Sequence, residues 1–169
     1  QAHANTLFEH MFAWLDDTLA IIRRHPETLF VIRSHPDESR PGKASRETVA
    51  DWVKNSGSDA LPNVVFVDSG EYLSSYELIQ RSKFVMIYNS TIGLEASLMG
   101  AAVLCAGRAR FTQLPTVFFP ANQVEYHRQV EQMLSAKPIQ VPPEFMRNAR
   151  RFLYYQLYRV SLPLEGLLK

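Results

Sequence analysis

Apolar runs of strand length recur along the chain, and each is followed by a polar loop and a segment that is apolar on one side only. Four runs are predicted strands, at residues 28–33, 63–68, 84–88 and 102–105. Because they lack the alternation of a half-exposed strand, we expect them to be buried on both faces. The one-sided segments predict helices over residues 45–55, 74–81 and 92–99. Strands that alternate with helices in this way are typical of a parallel sheet.

Helical patterns continue on both sides of this alternating region. Residues 5–24 carry apolar side chains at helical spacing until Pro26 ends the pattern, and residues 143–160 form a last, aromatic-rich helix. The fold is therefore predicted to be α/β: a doubly wound, Rossmann-like, mostly parallel sheet flanked by helices. We expect one domain over residues 1–169, with a core at 28–136 on which the two terminal helices pack.

Further elements complete the predicted core. A short edge strand is expected at residues 116–119 and a helix at 122–136, while Gly57 and Gly100 are expected to end the helices before them.

Composition narrows the classes of function. The 169 residues are 46% apolar and 21% charged, as in an ordinary folded domain, and the net charge of +1 gives no general case for nucleic-acid binding. The single cysteine, Cys105, excludes an intramolecular disulfide and a multi-cysteine zinc site, and its apolar setting predicts an inert buried thiol.

No apolar run reaches the roughly 20 residues of a membrane span. The chain starts at Gln1 without a signal peptide, so we expect a piece of a longer, two-domain protein.

Polar residues follow three predicted strands at the point where each strand ends. They are Arg33, Ser34, His35 and Pro36; Ser69, Gly70 and Tyr72; and Asn89, Ser90 and Thr91. The carboxyl ends of parallel strands meet at one sheet edge, where open α/β sheets bind ligands. A cation, an imidazole, hydroxyls and a glycine suit a phosphorylated ligand.

The turn at residues 89–91 opens the predicted helix at 92–99, and two interpretations of its side chains stay open. Ser90 and Thr91 can cap the helix, which is the favoured reading of the residues taken alone, or they can bind a phosphate at the helix N-terminus. Glu95 can complement the helix dipole or accept hydrogen bonds from ribose hydroxyls, and the apolar helix around it favours the second. His35 can donate to a phosphate or cap its own loop.

Sequence motifs exclude several other chemistries. Fingerprints of the types GxGxxG, GxSxG and GxxxxGK[ST] are absent, and the five histidines lack metal-ligand spacing. We therefore expect neither a metal nor a resident cofactor.

The last helix combines arginines with tyrosines. They are Arg147, Arg150, Arg151, Tyr154, Tyr155 and Tyr158. Two interpretations remain: a surface that contacts a membrane or an acidic partner, and a solvated helix face whose aromatic residues pack inward, of which the second is favoured.

Three sequence stretches together resemble a known family. Residues 33–36 (RSHP), together with 75–79 (SYELI) and 89–96 (NSTIGLEA), resemble the C-terminal, donor-binding half of GT-B glycosyltransferases. Within that superfamily they look most like bacterial capsule polysaccharide synthesis proteins, which are similar to Kdo and sialic-acid transferases that use CMP-activated sugars. The resemblance covers residues 28–106.

The resemblance implies a role for each stretch. His35 and the Ser90–Thr91 turn would hold the donor phosphate, with His35 stabilising the leaving group; Glu95 would hold the ribose, and the loop at residues 69–72 would lie beside the base. Gly93 belongs to the same motif. The acceptor glycan and the catalytic base would belong to a missing N-terminal domain, so the chain alone is expected to be inactive.

The predicted function is thus nucleotide-sugar donor binding by a glycosyltransferase of bacterial surface or capsular polysaccharide biosynthesis, with a CMP-linked donor favoured. Alternatives are a nucleotide-sugar 2-epimerase-like domain, a CDP-polyol phosphotransferase-like domain and a non-catalytic module for assembly. We expect a cytoplasmic protein without a nucleic-acid partner. Peripheral contact with the inner face of the cytoplasmic membrane and homo-oligomerisation stay open.

Overall fold

The computed structural model of the chain describes residues 5–35, 38 and 47–160. The chain divides into two compact units. The first unit is Glu9–Ser75, and the second unit combines Gln1–Phe8 with Tyr76–Lys169. Pro36, one of the predicted site residues, lies outside the described residues.

The first unit is built on one parallel pair of strands. Its elements are α1 (Met11–Arg24), β1 (Phe30–Arg33), α2 (Val49–Ser56), a 3₁₀ turn (Ser58–Ala60) and β2 (Val64–Val67). Helix α2 begins in a capping box, in which the Thr48 hydroxyl accepts from Asp51 N and the Asp51 carboxylate accepts from Thr48 N. The helix ends, as predicted, at Gly57, whose φ of 64° suits a residue without a side chain.

Helix α1 and the segment after it hold the first unit together. Its buried apolar side chains form one stripe of the helix: Trp14, Leu15, Leu19, Ile21 and Ile22. From the start of β2, the buried Asn63 amide donates to the backbone carbonyls of Ile22, His25 and Thr28 at 3.0–3.3 Å. This side chain therefore satisfies the backbone where α1 ends and the chain turns toward β1.

The second unit repeats the parallel arrangement with more helices. Its elements are α3 (Ser75–Arg81), β3 (Val85–Ile87), α4 (Ile92–Leu98), β4 (Val103–Cys105), a 3₁₀ turn (Arg110–Gln113), α5 (Gln123–Ser135), α6 (Pro143–Tyr155) and a π-helical turn (Gln156–Val160). Strands β3 and β4 are parallel, with Val85 opposite Val103. The predicted edge strand at 116–119 is a single parallel bridge between Leu104 and Phe118.

The α/β class and the parallel strand pairs are confirmed, and the arrangement is compatible with a Rossmann-like fragment. Each strand is one or two residues shorter than its apolar run. Within the described residues, the strands form two two-stranded ladders, β1–β2 and β3–β4. Cys105 is fully buried, and burial raises the pKa of its thiol to about 12, as expected for an inert core cysteine.

The predicted helix at residues 5–24 was wrong at its start. Helix α1 begins at Met11, because the His10 ring accepts a hydrogen bond from Ala13 N and caps it. Leu7 and Phe8 belong instead to the second unit. The Phe8 ring lies edge-to-face on Tyr126, with centroids 5.4 Å apart. The apolar side chains of Leu7 and Phe8 matched the helical spacing of α1, but both residues belong to the second unit.

The predicted last helix at residues 143–160 was also wrong at its end. Regular helix ends at Tyr155, and the next five residues form the π-helical turn. The favoured inward packing fails for the tyrosines: Tyr154, Tyr155 and Tyr158 are 57%, 57% and 69% exposed. Phenylalanines take the inner side of α6 instead, with Phe145 buried and Phe152 half-buried.

Candidate functional site

The carboxyl end of β1 carries three of the predicted site residues. Ser34 is almost fully buried, and its backbone N donates to Val67 O at 3.1 Å. Its hydroxyl lies within hydrogen-bond distance of Val67 O (3.4 Å) and Asp68 Oδ1 (3.3 Å). The Ser34 side chain therefore joins the ends of β1 and β2. His35 is exposed beside it.

Arg33 is the unusual group at this end of the sheet. Its Nε and Nη1 atoms are buried, and neither has a hydrogen-bond partner in the part of the chain that the structure describes. A guanidinium removed from water without an acceptor is unfavourable, whereas an anion would supply charge-assisted hydrogen bonds. Arg33 is thus the residue of the first unit that is best prepared to bind an anion.

The loop after β2 is rigidified by its own carboxylates. Asp68 Oδ1 accepts from Ser69 N at 2.6 Å, and Glu71 Oε1 accepts from Asp68 N at 2.9 Å. Gly70 has open space around its Cα, and Tyr72 is fully exposed. The sequence prediction named Ser69, Gly70 and Tyr72 and missed the two acids that shape the loop.

Glu38 brings a third carboxylate to the first unit. Its Oε2 accepts from Val49 N, the first residue of α2, at 3.2 Å. Burial raises the pKa of Glu38, with a smaller contribution from the charge of Asp68, while the Val49 hydrogen bond and His35 act in the opposite direction. These contributions indicate that Glu38, His35 and Asp68 share one local environment.

The turn before α4 excludes one interpretation of the Thr91 hydroxyl. Thr91 makes no capping hydrogen bond, so the favoured cap interpretation is wrong for this residue. Gly93 N and Leu94 N donate to the carbonyls of Ser90 and Thr91 at 3.1 and 3.0 Å. Phosphate binding at this turn stays a prediction.

Glu95 has a partner that the sequence did not reveal. The Tyr76 hydroxyl, on α3, donates to Glu95 Oε2, and this hydrogen bond raises the pKa of Tyr76. Glu95 is half-buried and Tyr76 is 52% exposed. A carboxylate held by a tyrosine at an accessible position can accept from a ligand hydroxyl with its remaining lone pairs. The SYELI stretch contained Tyr76, but no local pattern linked it to Glu95.

Gly93 has a packing role that is independent of any ligand. It is buried, and a Cβ atom at this position would lie 2.2 Å from Ile87 Cδ1 and 3.4 Å from Phe111 Cζ. Only a residue without a side chain lets α4 approach β3 this closely. Its predicted contact with the donor stays a prediction.

The predicted residues fall into two clusters. Arg33, Ser34, His35, Ser69, Gly70 and Tyr72 lie in the first unit, where the parallel pairing of β1 and β2 brings both loops together. Asn89, Ser90, Thr91, Gly93 and Glu95 lie in the second unit, with Tyr76. Two grooves of the second unit, of about 510 and 480 Å³, are lined by other residues. The described residues contain no group of three or more His, Cys, Asp or Glu side chains placed to hold a metal ion.

The parallel strand pairs and the helices around them make this an α/β protein, compatible with a Rossmann-like fragment. Residues 4–114 match the family model described as capsule polysaccharide biosynthesis protein. This segment is well over half of the 169 residues, and the chain belongs to that family. A search of curated proteins and a search of solved structures each gave no match. The family match supports a role in the synthesis of capsular polysaccharide.

Proposed function

We propose that this chain is the nucleotide-sugar-binding part of a glycosyltransferase of capsular polysaccharide biosynthesis. The family match carries the proposal, because residues 4–114 contain every residue predicted to bind the donor. The choice of a transferase and of a CMP-linked donor rests on the resemblance of residues 33–36 and 89–96. Acceptor binding and the catalytic base are assigned to a further domain.

Arg33 supports the phosphate part of this proposal. Two nitrogens of its guanidinium are buried at the end of β1 and have no acceptor among the residues that the structure describes. The phosphate of a nucleotide-sugar provides charged oxygens that match the planar donors of arginine. His35 follows two residues later and is proposed to stabilise the departing phosphate when it carries a proton.

Glu95 and Tyr76 support the ribose part. A carboxylate accepts hydrogen bonds from two hydroxyl groups more readily than a neutral acceptor does. The hydrogen bond from the Tyr76 hydroxyl fixes this carboxylate in one orientation. Thr91 is exposed and makes no capping hydrogen bond, and its hydroxyl is proposed, with that of Ser90, to contact the donor. We therefore expect donor binding by the 169-residue chain without sugar transfer.

Nucleotide binding is the direct test. Thermal unfolding is measured with CMP, CDP, UDP and GDP in turn. At a hundredfold excess over the dissociation constant, binding stabilises the folded chain by about 2.7 kcal/mol, which for a chain of this length raises Tm by roughly 5–10 °C. CMP is expected to give the largest shift. No shift with any nucleotide at millimolar concentration would refute the proposal.

Matched variants then test the two clusters. Arg33→Gln and Glu95→Gln should each reduce the CMP-induced shift, because they remove the proposed phosphate and ribose contacts. Arg23→Gln in the first unit and Glu77→Gln in the second change exposed residues of the same type and should leave the shift unchanged. A full shift in Arg33→Gln or Glu95→Gln would remove that residue from the site.

A further inference from the structure

The exposed side of α6 and of the π-helical turn after it is rich in arginine and tyrosine. Five residues lie on one side of the helix, because the pairs 147/151, 150/154 and 154/158 are each four residues apart: Arg147, Arg150, Arg151, Tyr154 and Tyr158. All five are exposed, and the rings of Tyr154 and Tyr158 lie 5.0 Å apart. The opposite side carries the buried Phe145 and Ala149. We call these five residues the outer face.

Charge on this part of the chain is strongly one-sided. Residues 143–160 contain four arginines, the fourth being Arg159, and one acid, Glu144. None of the four arginines makes an ion pair with any residue that the structure describes. The whole chain has a net charge of only +1, so this positive charge is local rather than general. The surface is therefore complementary to a dense negative charge.

Apolar side chains continue the outer face at the end of the helix. Leu157 is 56% exposed and Val160 53%, beside the exposed tyrosines. Exposed aromatic and aliphatic side chains next to arginines are typical of surfaces that lie at the boundary between lipid headgroups and acyl chains. Nucleic-acid phosphates would use the arginines but would leave Leu157 and Val160 in water.

We propose that the outer face and the residues at its end dock on an anionic lipid bilayer. The arginines contact acidic headgroups, and the tyrosines with Leu157 and Val160 enter the interfacial region. The positive charge of the outer face favours an anionic bilayer, because a neutral bilayer gives the arginines no net electrostatic attraction. Docking of this kind is peripheral; no helix among the described residues is long and apolar enough to span a membrane. The inference does not depend on donor binding.

Vesicle co-sedimentation of the 169-residue chain tests this proposal. The probes are vesicles of phosphatidylcholine alone and of phosphatidylcholine mixed equally with phosphatidylglycerol. We expect binding to the mixed vesicles and little to the neutral ones, and we expect added salt to weaken it because it screens the exposed arginines. Equal binding to both kinds of vesicle, or binding to neither, would overturn the proposal.

Paired variants separate charge from apolar contact. Arg147→Gln with Arg151→Gln should weaken vesicle binding about 25-fold, since each basic residue near an anionic surface contributes about fivefold. The double variant Arg147→Lys with Arg151→Lys should bind as the parent does, and Arg23→Gln with Arg81→Gln, exposed arginines outside α6, should have no effect. Circular dichroism verifies that each variant is folded.

Tyrosine variants form the second part of the vesicle-binding experiment and test the apolar contact. Tyr154→Ser with Tyr158→Ser should weaken binding while preserving its salt dependence. Two results would show that the outer face binds a different partner and would overturn the proposal. One is a concentration-dependent dimer that this variant abolishes, without vesicle binding. The other is tighter binding to a single-stranded RNA oligonucleotide than to the mixed vesicles.

Discussion

Replacement of Gly93 by alanine tests whether the close approach of α4 to β3 needs a glycine. The new Cβ atom would lie 2.2 Å from Ile87 Cδ1, far inside van der Waals contact, and 3.4 Å from Ile87 Cγ1 and Phe111 Cζ. Ile87 and Phe111 are 5% and 2% exposed, so any movement that relieves the contact takes place inside the core. The clash must be relieved by an unfavourable rotamer of Ile87 or by a shift of the helix.

The magnitude follows from two opposing effects. Overpacking a well-filled core by one methyl group costs about 1–3 kcal/mol. Alanine is favoured over glycine in a helix interior by roughly 1 kcal/mol, and less in the first turn, where Gly93 lies. We therefore expect Gly93→Ala to lower the free energy of unfolding by about 1–2 kcal/mol. Ile87→Val removes the clashing Cδ1 atom and alone costs about 1 kcal/mol.

Urea unfolding of the parent, the two single variants and the double variant measures this effect. Because the second change removes the atom that the first one meets, the double variant should be more stable than the sum of the single changes predicts, by about 1 kcal/mol. A Gly93→Ala protein as stable as the parent would refute the packing argument. If that protein also lost CMP binding, the role of Gly93 would be ligand contact instead.

Three further predictions concern single residues. Asn63→Ala should lower the free energy of unfolding by about 2 kcal/mol, because three backbone carbonyls lose their donor; Asn55→Ala, at an exposed position, is the control, and equal losses would contradict the assignment. Burial raises the pKa of Glu38 in the folded protein. The contribution of this group to stability is therefore greatest at low pH and falls as the pH rises through that pKa. Glu38→Gln should equal the parent at low pH and exceed its stability at neutral pH, and a difference that is constant with pH would contradict this. The Cys105 thiol, with its pKa of about 12, should resist iodoacetamide at pH 8 until the protein is unfolded; rapid labelling of the native chain would show that it is accessible.

The elements of the fold were largely predictable because their signals are local. Gly57 and Gly100, with φ of 64° and 83°, end helices at the positions where the sequence pattern stops. The strand after Gly100, β4, is buried throughout, as its apolar run predicts. The expected burial on both faces was wrong for β1 and β2, because the paired residues Val31 and Val65 are 42% and 45% exposed on one face of their ladder. The start of α1 was not predictable in this way. The apolar spacing of α1 extends back to Leu7 and Phe8, although these residues lie outside the helix.

The proximity of the loops after β1 and β2 was predictable, but the side-chain contacts around the candidate residues were not. Parallel strands place their carboxyl ends together, so the loops after β1 and β2 had to be neighbours. The partner of Glu95 lies 19 residues earlier, on a different helix, and no periodicity connects the two. Likewise, Glu38 accepts from the first residue of α2, which lies 11 positions later in the chain. Contacts of this kind depend on tertiary structure. They cannot be inferred from the helix or strand propensity of a residue or from the spacing of residues in the sequence.

Hydrogen-bond partners, rather than a count of charges, support an anionic ligand for the first unit. Among the described residues near the ends of β1 and β2, Glu38, Asp68 and Glu71 are acidic, and a count alone would favour a cationic ligand. Asp68 and Glu71 each accept a hydrogen bond from a backbone amide, which stabilises the charged form. Glu38 accepts from Val49 N, but burial raises its pKa and so favours its neutral form. The guanidinium of Arg33 has two buried nitrogens without a hydrogen-bond partner among the described residues. Because an unpaired buried donor is unfavourable, this arrangement supports the proposal of an anionic ligand.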